Sequence, residues 1–262
     1  MNESILLVIP VFNEEKRWNE EYFLELASKS DRKLAYIFVD DGSTDNSINL
    51  IENLCNKSDR FHFLRSELNQ GKGEAIRNGF NYGTKKAYLG IGFLDSDGAF
   101  SANDVDKMSK VFFEKCLKDD EFQAVWSSRI RLAGRKIARS QRRHFLGRVI
   151  SKIVSPYTRG IPWDTQSGLK IFKNDLALIE IVSFKFRSKW FFEIEMLQRC
   201  IITTGTSMRI WEEPLDSWHD VRGSKIKGKQ YAIILAEITI MFSRNVRILL
   251  GNMNKNRITS EY

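Results

Sequence analysis

Residues 87–100 read AYLGIGFLDSDGAF. An apolar run of this length, closed by turn-forming residues, predicts a strand buried on both faces. It ends on Asp95 and Asp97, which sit at i and i+2. On a straight strand those side chains point to opposite faces. At a strand end followed by Gly98 and Ala99 the chain can turn and bring both carboxylates towards one point. Hard divalent cations such as Mg²⁺ and Mn²⁺ take oxygen ligands of this kind, with phosphate and water completing the shell. The same pair, met alone, is also an ordinary polar turn.

Working back towards the N-terminus, the same pattern recurs three times. SILLVIPVF (4–12), LAYIFVD (34–40) and FHFLRS (61–66) read as strands, with helical segments predicted over 14–28, 44–55 and 73–86. Such a βαβα rhythm predicts a parallel sheet covered by helices on both faces. In such sheets ligands lie at the carboxyl ends of the strands. Working forward, NDVDKMSKVFFEKCL (103–117) reads as a helix capped by Ser101 or Asn103, and QAVWSS (123–128) as a strand. Further helices are expected over 139–155, 190–202 and 226–250. DTQSGLKIF (164–172) reads as a loop entering a strand, and MRIWEEPL (208–215) as a short strand. In the last helix Gln230, Glu237 and Arg244 form one narrow polar stripe, which suits packing on the sheet domain or partial contact with lipid.

The polar turns after these strands carry the candidate chemistry. IPVFNEE (9–15) places Pro10 near a strand end and Asn13-Glu14-Glu15 at a helix start. VDDGSTDNS (39–47) sets Asp40 and Asp41 before a glycine turn and capping residues. NQGKGEAIRNG (69–79) offers Gly71 and Gly73 for close backbone approach, and Lys72 and Arg77 for phosphates. Its spacing is neither that of a dinucleotide fingerprint nor that of a P-loop.

Composition narrows the classes. With 262 residues, 42% of them hydrophobic, the chain can bury a core without disulfide or structural metal. Cys55, Cys116 and Cys200 are scattered, which argues against a zinc site and fits a reducing compartment. The net charge of +8 favours anionic partners. It is concentrated between Arg129 and Arg159, where ten Lys and Arg residues occur without one Asp or Glu. The start reads as a strand and not as a secretion signal. The most apolar stretch, 231–242, is broken by Glu237 and falls short of a spanning helix. A cytoplasmic protein is expected, peripheral on the cytoplasmic face of a membrane or held there by a membrane-protein partner.

Taken together, IPVFNEE, DDGSTD, NQGKGEAIRNG and DSDGAF resemble the inverting family 2 glycosyltransferases. SSR (127–129), DTQSGLKIF, WFFEIEML (190–197) and WHDVRGSKI (218–226) resemble the branch that glycosylates dolichyl phosphate, the glucosyltransferases above the mannosyltransferases. The resemblance implies a GT-A-like α/β sandwich, with a mostly parallel central sheet, over residues 1–222, and a helical appendage over 223–262. It implies transfer of a hexose from a nucleotide sugar, UDP-glucose before GDP-mannose, to a polyprenyl phosphate, with Mg²⁺ or Mn²⁺. Pro10, Phe12 and Glu14 would line the base pocket, with Asp41 on base or ribose and Lys72 near the phosphates. Asp95 and Asp97 would hold the metal and diphosphate. Arg129, with Arg142 or Arg143, would grip the acceptor phosphate, and Lys225 would add a second contact. Gln166, Ser167 and Lys170 would form the acceptor loop, and Trp190, Glu193 and Glu195 would border the sugar. Ala99 stands where mannosyltransferases often have a glutamine ligand, which favours glucose. Ser167 and Leu169 replace a family Cys and Phe.

An acceptor phosphate is already an anion, so no strong base is required, and no histidine lies in the motifs after the first four strands. Two other classes compete. A sugar-hydroxyl acceptor, as in surface polysaccharide assembly, needs a base, for which Glu193 or Glu195 is the candidate. A non-enzymatic basic binder has no use for the paired aspartates, and 129–143 lacks the interleaved aromatics of a nucleic-acid groove. No nucleic-acid partner is expected.

Overall fold

The computed structural model describes residues 2–29, 33–138, 162–188 and 191–219. All lie within one compact unit, Met1–Val221. The helices expected over 139–155 and 226–250 fall outside the described residues.

The central sheet has seven strands, ordered β3-β2-β1-β4-β7-β5-β8. They are β1 (Asn2–Val11), β2 (Leu34–Asp41), β3 (Phe61–Ser66), β4 (Tyr88–Leu94), β5 (Ala124–Ser128), β7 (Leu169–Lys173) and β8 (Ile210–Pro214). A small second sheet pairs β6 (Lys136–Ala138) with β9 (Ser217–His219). Strands β1 to β4 are parallel, as the βαβα rhythm predicts. The sheet as a whole is mostly parallel, as expected, with one strand the exception. β7 runs antiparallel to both of its neighbours, β4 and β5, so the sheet is mixed. The cause is connectivity. β7 enters directly from the loop at 162–168, on the carboxyl side of β4, and so must run the opposite way.

The helices are α1 (Glu20–Lys29), α2 (Ser47–Cys55), α3 (Lys72–Gly83), α4 (Ala102–Lys118), α5 (Leu176–Ser183) and α6 (Phe192–Thr204). The helix expected over 14–28 is split. A 3-10 turn spans Glu15–Arg17, and α1 starts afresh where the Asn19 side chain accepts from the Tyr22 amide at 3.1 Å. Ser101, not Asn103, caps α4, accepting from the Asp104 amide. Helix α5 has no counterpart in the sequence expectations. Its apolar face is only two turns long, but the Asp175 side chain caps it by accepting from the Leu178 amide.

The continuous apolar run of β1 is explained by its two covers. Ile5, Leu7, Ile9 and Val11 join a core with Phe23, Leu26, Met108 and Phe112 from α1 and α4. The alternate residues Leu6 and Val8 meet α3 at Gly83 and Gly79. Gly92 breaks the apolar run of β4 because β7 presses there: a Cβ would lie 2.3 Å from the Lys170 carbonyl oxygen. The strand order reverses between β1 and β4, since β2 follows β1 on one side and β4 joins on the other. Crevices that bind ligands open at such a reversal, beyond the carboxyl ends. Asn13–Glu15 and Asp95–Asp97 both emerge there.

Candidate active site

Asp95 is fixed from both sides. Its amide donates to the Gly168 carbonyl at 2.9 Å, and its carboxylate pairs with Lys72 Nζ at 2.6 Å. Gly168 is required by this contact. A Cβ there would lie 2.1 Å from an Asp95 carboxylate oxygen, so any side chain would displace the aspartate. Asp97 opens the turn at Gly98, whose φ is +74°, and accepts from the Ala99 amide at 3.1 Å. Burial, followed by the negative charge of Asp95, raises the Asp97 carboxyl above the usual range. Tyr22 lies beneath, its hydroxyl donating to the Phe100 carbonyl at 2.8 Å. Its phenol is raised well above normal by burial, with Asp97 next in effect. A buried carboxylate whose charge is disfavoured beside a second carboxylate forms a site that a cation stabilises. Among the described residues no group of three or more His, Cys, Asp or Glu could hold a metal. Among the described residues the pair Asp95 and Asp97 stands as two hard ligands, the donor set of an ion shared with substrate phosphates.

Lys72 opens α3, next to these carboxylates. Burial alone lowers its pKa, but Asp95 and then Glu193 outweigh that, and the ammonium is held above its usual value. The loop before it is tethered by Asp41, whose two oxygens accept from the Gln70 and Gly71 amides at 2.9 and 2.7 Å. Gly73 is not a backbone approach for a ligand, because the Phe192 side chain packs 3.0 Å from where its Cβ would be. Arg77 is not a phosphate contact either. Its guanidinium is bound to Glu74 and to the Val182 carbonyl.

Beneath the 162–168 loop lies a buried ion pair. Lys170 is fully buried, and its Nζ donates to the Thr165 and Ser167 carbonyls at 3.1 and 2.5 Å. It lies 3.5 Å from Glu193 Oε1 and over the rings of Phe93 and Trp126. Burial pulls the Lys170 pKa down to about 8 against the opposing pull of Glu193. Burial also raises Glu193, whose Oε2 has no hydrogen-bond partner among the described residues. The first turn of α6 thus brings a buried carboxylate close enough to Lys72 and Asp95 to act on both electrostatically.

The Glycosyl transferase family 2 model matches residues 6–184, more than half of the chain and all of the strand-end turns described so far. The chain belongs to this family. It is 31% identical to a dolichyl-phosphate beta-glucosyltransferase of Saccharomyces cerevisiae, over 98% of this chain and 79% of that protein. The fold is GT-A-like. It superposes with TM-score 0.59 on glucosyl-3-phosphoglycerate synthase from Mycobacterium tuberculosis in complex with Mn²⁺, UDP and glucosyl-3-phosphoglycerate (19% identity, 95% of this chain and 79% of that one). It superposes with TM-score 0.60 on a Pyrobaculum calidifontis mannosyltransferase in complex with GDP-Man and Mn²⁺ (14% identity, 94% and 65%).

Within this family 2 glycosyltransferase the expected site residues divide into two groups. Asp95, Asp97, Lys72 and Glu193 converge. Pro10 and Phe12 are half-buried at the end of β1. Glu14 is buried, paired with Arg17 at 2.5 Å, and its amide donates to Ser47 Oγ at 2.8 Å. Other residues are committed to structure. Arg129, expected at an acceptor phosphate, grips Asp164 instead, with Nε and Nη2 at 2.7 and 2.8 Å, and also reaches the Gln166 carbonyl. Ser167 is buried, 2.5 Å from Ser127 Oγ, so it does not face an acceptor. The Gln166 side chain reaches the Thr165 carbonyl at 3.4 Å. Glu195, expected at the sugar, accepts from the Arg187 and Ser188 amides and pairs with Arg199. Asp41, expected on base or ribose, turns to the loop amides. Arg142, Arg143, Trp190 and Lys225 lie outside the described residues.

The sequence expectations placed Asn13 only at a helix start and gave it no part in the site. It adopts φ 50°, and its side chain accepts from the Thr44 amide at 2.8 Å while its own amide donates to Ser43 Oγ. This stitches the β1 and β2 turns into one wall. Asparagine's tolerance of left-handed backbone was the available signal.

Proposed function

We propose that the protein transfers a hexose, glucose by preference, from a nucleotide sugar to a polyprenyl phosphate, inverting the anomeric carbon. The observation that carries the reading is the Lys72–Asp95–Asp97 cluster at the β1/β4 reversal, locked by the Gly168 carbonyl. The dolichyl-phosphate glucosyltransferase relative supports the acceptor class.

In this reading the base stacks near Pro10 and Phe12, and the diphosphate lies over Asp95 and Asp97. Those two carboxylates hold Mg²⁺ or Mn²⁺, and the ion, when bound, supplies charge stabilisation to the leaving diphosphate. Lys72 supplies a second, fixed positive charge on the same side. Glu193 Oε2 accepts a hydrogen bond from a sugar hydroxyl. The acceptor phosphate oxygen attacks the anomeric carbon from the face opposite the diphosphate. A carbon–oxygen bond to the acceptor forms as that to the diphosphate breaks, and no proton needs removal. Asp41 and Arg129 position the two loops that frame the site. The catalytic domain is assigned to 1–222, with 223–262 as an appendage, and the enzyme works at the cytoplasmic face of a membrane.

A second reading has one observation in its favour. Glu193 is buried, raised in pKa and half-unpartnered, which suits a base for a sugar-hydroxyl acceptor. One experiment separates the two. Release of nucleoside diphosphate is followed with Mn²⁺ and UDP-glucose or GDP-mannose, with a short-chain polyprenyl phosphate or an oligosaccharide. Stimulation by polyprenyl phosphate with UDP-glucose is expected. Stimulation by the oligosaccharide alone removes the first reading.

A further inference from the structure

We infer that the rim of the active-site mouth is itself a bilayer-docking surface, built from exposed apolar side chains set among cations. The inference rests on the lipid-acceptor reading above and adds where the protein meets the lipid.

Strand directions place the relevant segments at one end of the sheet. The turns after β3 and β5 leave at carboxyl ends shared with β4, and the segment before β7 enters at that same end. Helix α5 starts after β7 at the far end and runs back, so the segment after it arrives at the mouth. Lys185 Nζ confirms this by reaching the Gln70 side chain at 3.0 Å. Each of these four segments exposes a large apolar side chain: Leu68 is 73% exposed, Phe184 72%, Trp163 54% and Leu132 45%. Single exposed apolar residues are common, but four around one opening make a surface with a purpose.

The charge at this rim selects the partner. The four rim segments carry Arg131, Arg135, Lys136, Lys185 and Arg187 against two acids, Glu67, exposed beside Leu68, and Asp164, buried in its pair with Arg129, so the rim is net basic. Arg135 pairs with Asp216 and stays exposed. The far end, where Leu117, Leu176 and Trp211 are exposed, is mixed instead: Lys115, which lies over the Trp211 ring, Lys118 and Arg209 stand with Asp119, Asp120, Glu121 and Asp175, so acids outnumber cations there. Apolar tips with neighbouring cations suit an anionic lipid surface, where burial of the tips and attraction to headgroups add. Docked this way, the mouth faces the bilayer in which a polyprenyl phosphate is anchored.

The test uses the full chain and vesicles of phosphatidylcholine, alone or mixed with phosphatidylserine, read by flotation. The protein is expected to float with the mixed vesicles and to be released by salt. The Leu68→Ser/Phe184→Ser variant should lose most of the bound fraction. Arg187→Glu changes the local charge by two and should weaken partition roughly twenty-five-fold, at about fivefold per charge. Both variants should keep wild-type turnover on a soluble short-chain acceptor and lose it on a vesicle-embedded long-chain one. Unchanged flotation of both variants, or a wild type that does not float, overturns the inference. So does sedimentation showing that the rim joins two copies of the chain, abolished by the same substitutions. Failure of transfer to the soluble acceptor, with the flotation pattern intact, removes the glycosyl-transfer reading and leaves the docking surface standing.

Discussion

The ion pair beneath the 162–168 loop makes the sharpest prediction. Lys170→Met keeps the length of the side chain and its contact with Phe93 and Trp126 but removes the ammonium. The carbonyls of Thr165 and Ser167 lose their donor, and Glu193, with its side chain 5% exposed, loses the cation 3.5 Å away. Breaking a buried pair from one side costs about 3–5 kcal/mol, because the remaining charge is stranded. Two opposing effects trim this. Burial of the lysine charge was itself unfavourable, as its pKa of about 8 records. Glu193, already raised by burial, escapes part of the penalty by taking up a proton. A loss of about 3 kcal/mol at pH 7.5 is expected. Because the Glu193 carboxyl in the variant is raised above its unfolded value, its contribution is present at low pH and lost as pH rises. The deficit should therefore shrink in mildly acidic buffer. Lys170→Met/Glu193→Gln removes both charges and should recover to within about 1.5 kcal/mol of wild type. Urea unfolding of wild type, Lys170→Met, Glu193→Gln and the double variant gives the coupling directly. A single variant that loses under about 1 kcal/mol, or a double variant no better than the single, refutes the reasoning.

Asp97→Asn should lower metal-stimulated turnover by about 10²–10³-fold with little change in unfolding midpoint, and chelation should mimic it. Turnover that survives both contradicts the metal assignment. Gly168→Ala pushes a methyl into Asp95 and should cost about a hundredfold in turnover, since small misplacements at the reacting centre are costly. Wild-type rates would show that Asp95 has room to move. Arg129→Ala strands Asp164 and should destabilise the protein by about 3 kcal/mol while weakening donor and acceptor use together. A rise in acceptor KM alone, at unchanged stability, would return Arg129 to the acceptor phosphate. Cys55 and Cys116 are pushed up to about 11 by burial, from an ordinary 9.0, so their alkylation at pH 8 should run about a hundredfold slower than that of a free thiol. Rapid labelling of both would show that these half-buried sites open in solution.

Much of this molecule is written in local pattern. The apolar runs of β1 to β4, and the turns that follow them, need nothing beyond period and turn chemistry to be read. They place DSDGAF and NQGKG at one end of a sheet. The family resemblance of those turns then named the chemistry, and the family 2 match agrees with it. What the sequence could not determine was which polar residues remain available for substrate. Arg129, Asp41, Glu195 and Ser167 have the residue types of a binding site, yet each is taken by another partner: Asp164, the loop amides, the nearby 187–188 amides and Ser127. The pairings of Arg129 and Ser167 depend on β7 inserting antiparallel between β4 and β5, a non-local event that no local period encodes. The same insertion sets Gly168 against Asp95 and buries Lys170 against Glu193. Sequence alone determined where the paired aspartates sit. Only the tertiary structure decided which charges beside them are spoken for, because burial and pairing are properties of neighbours in space.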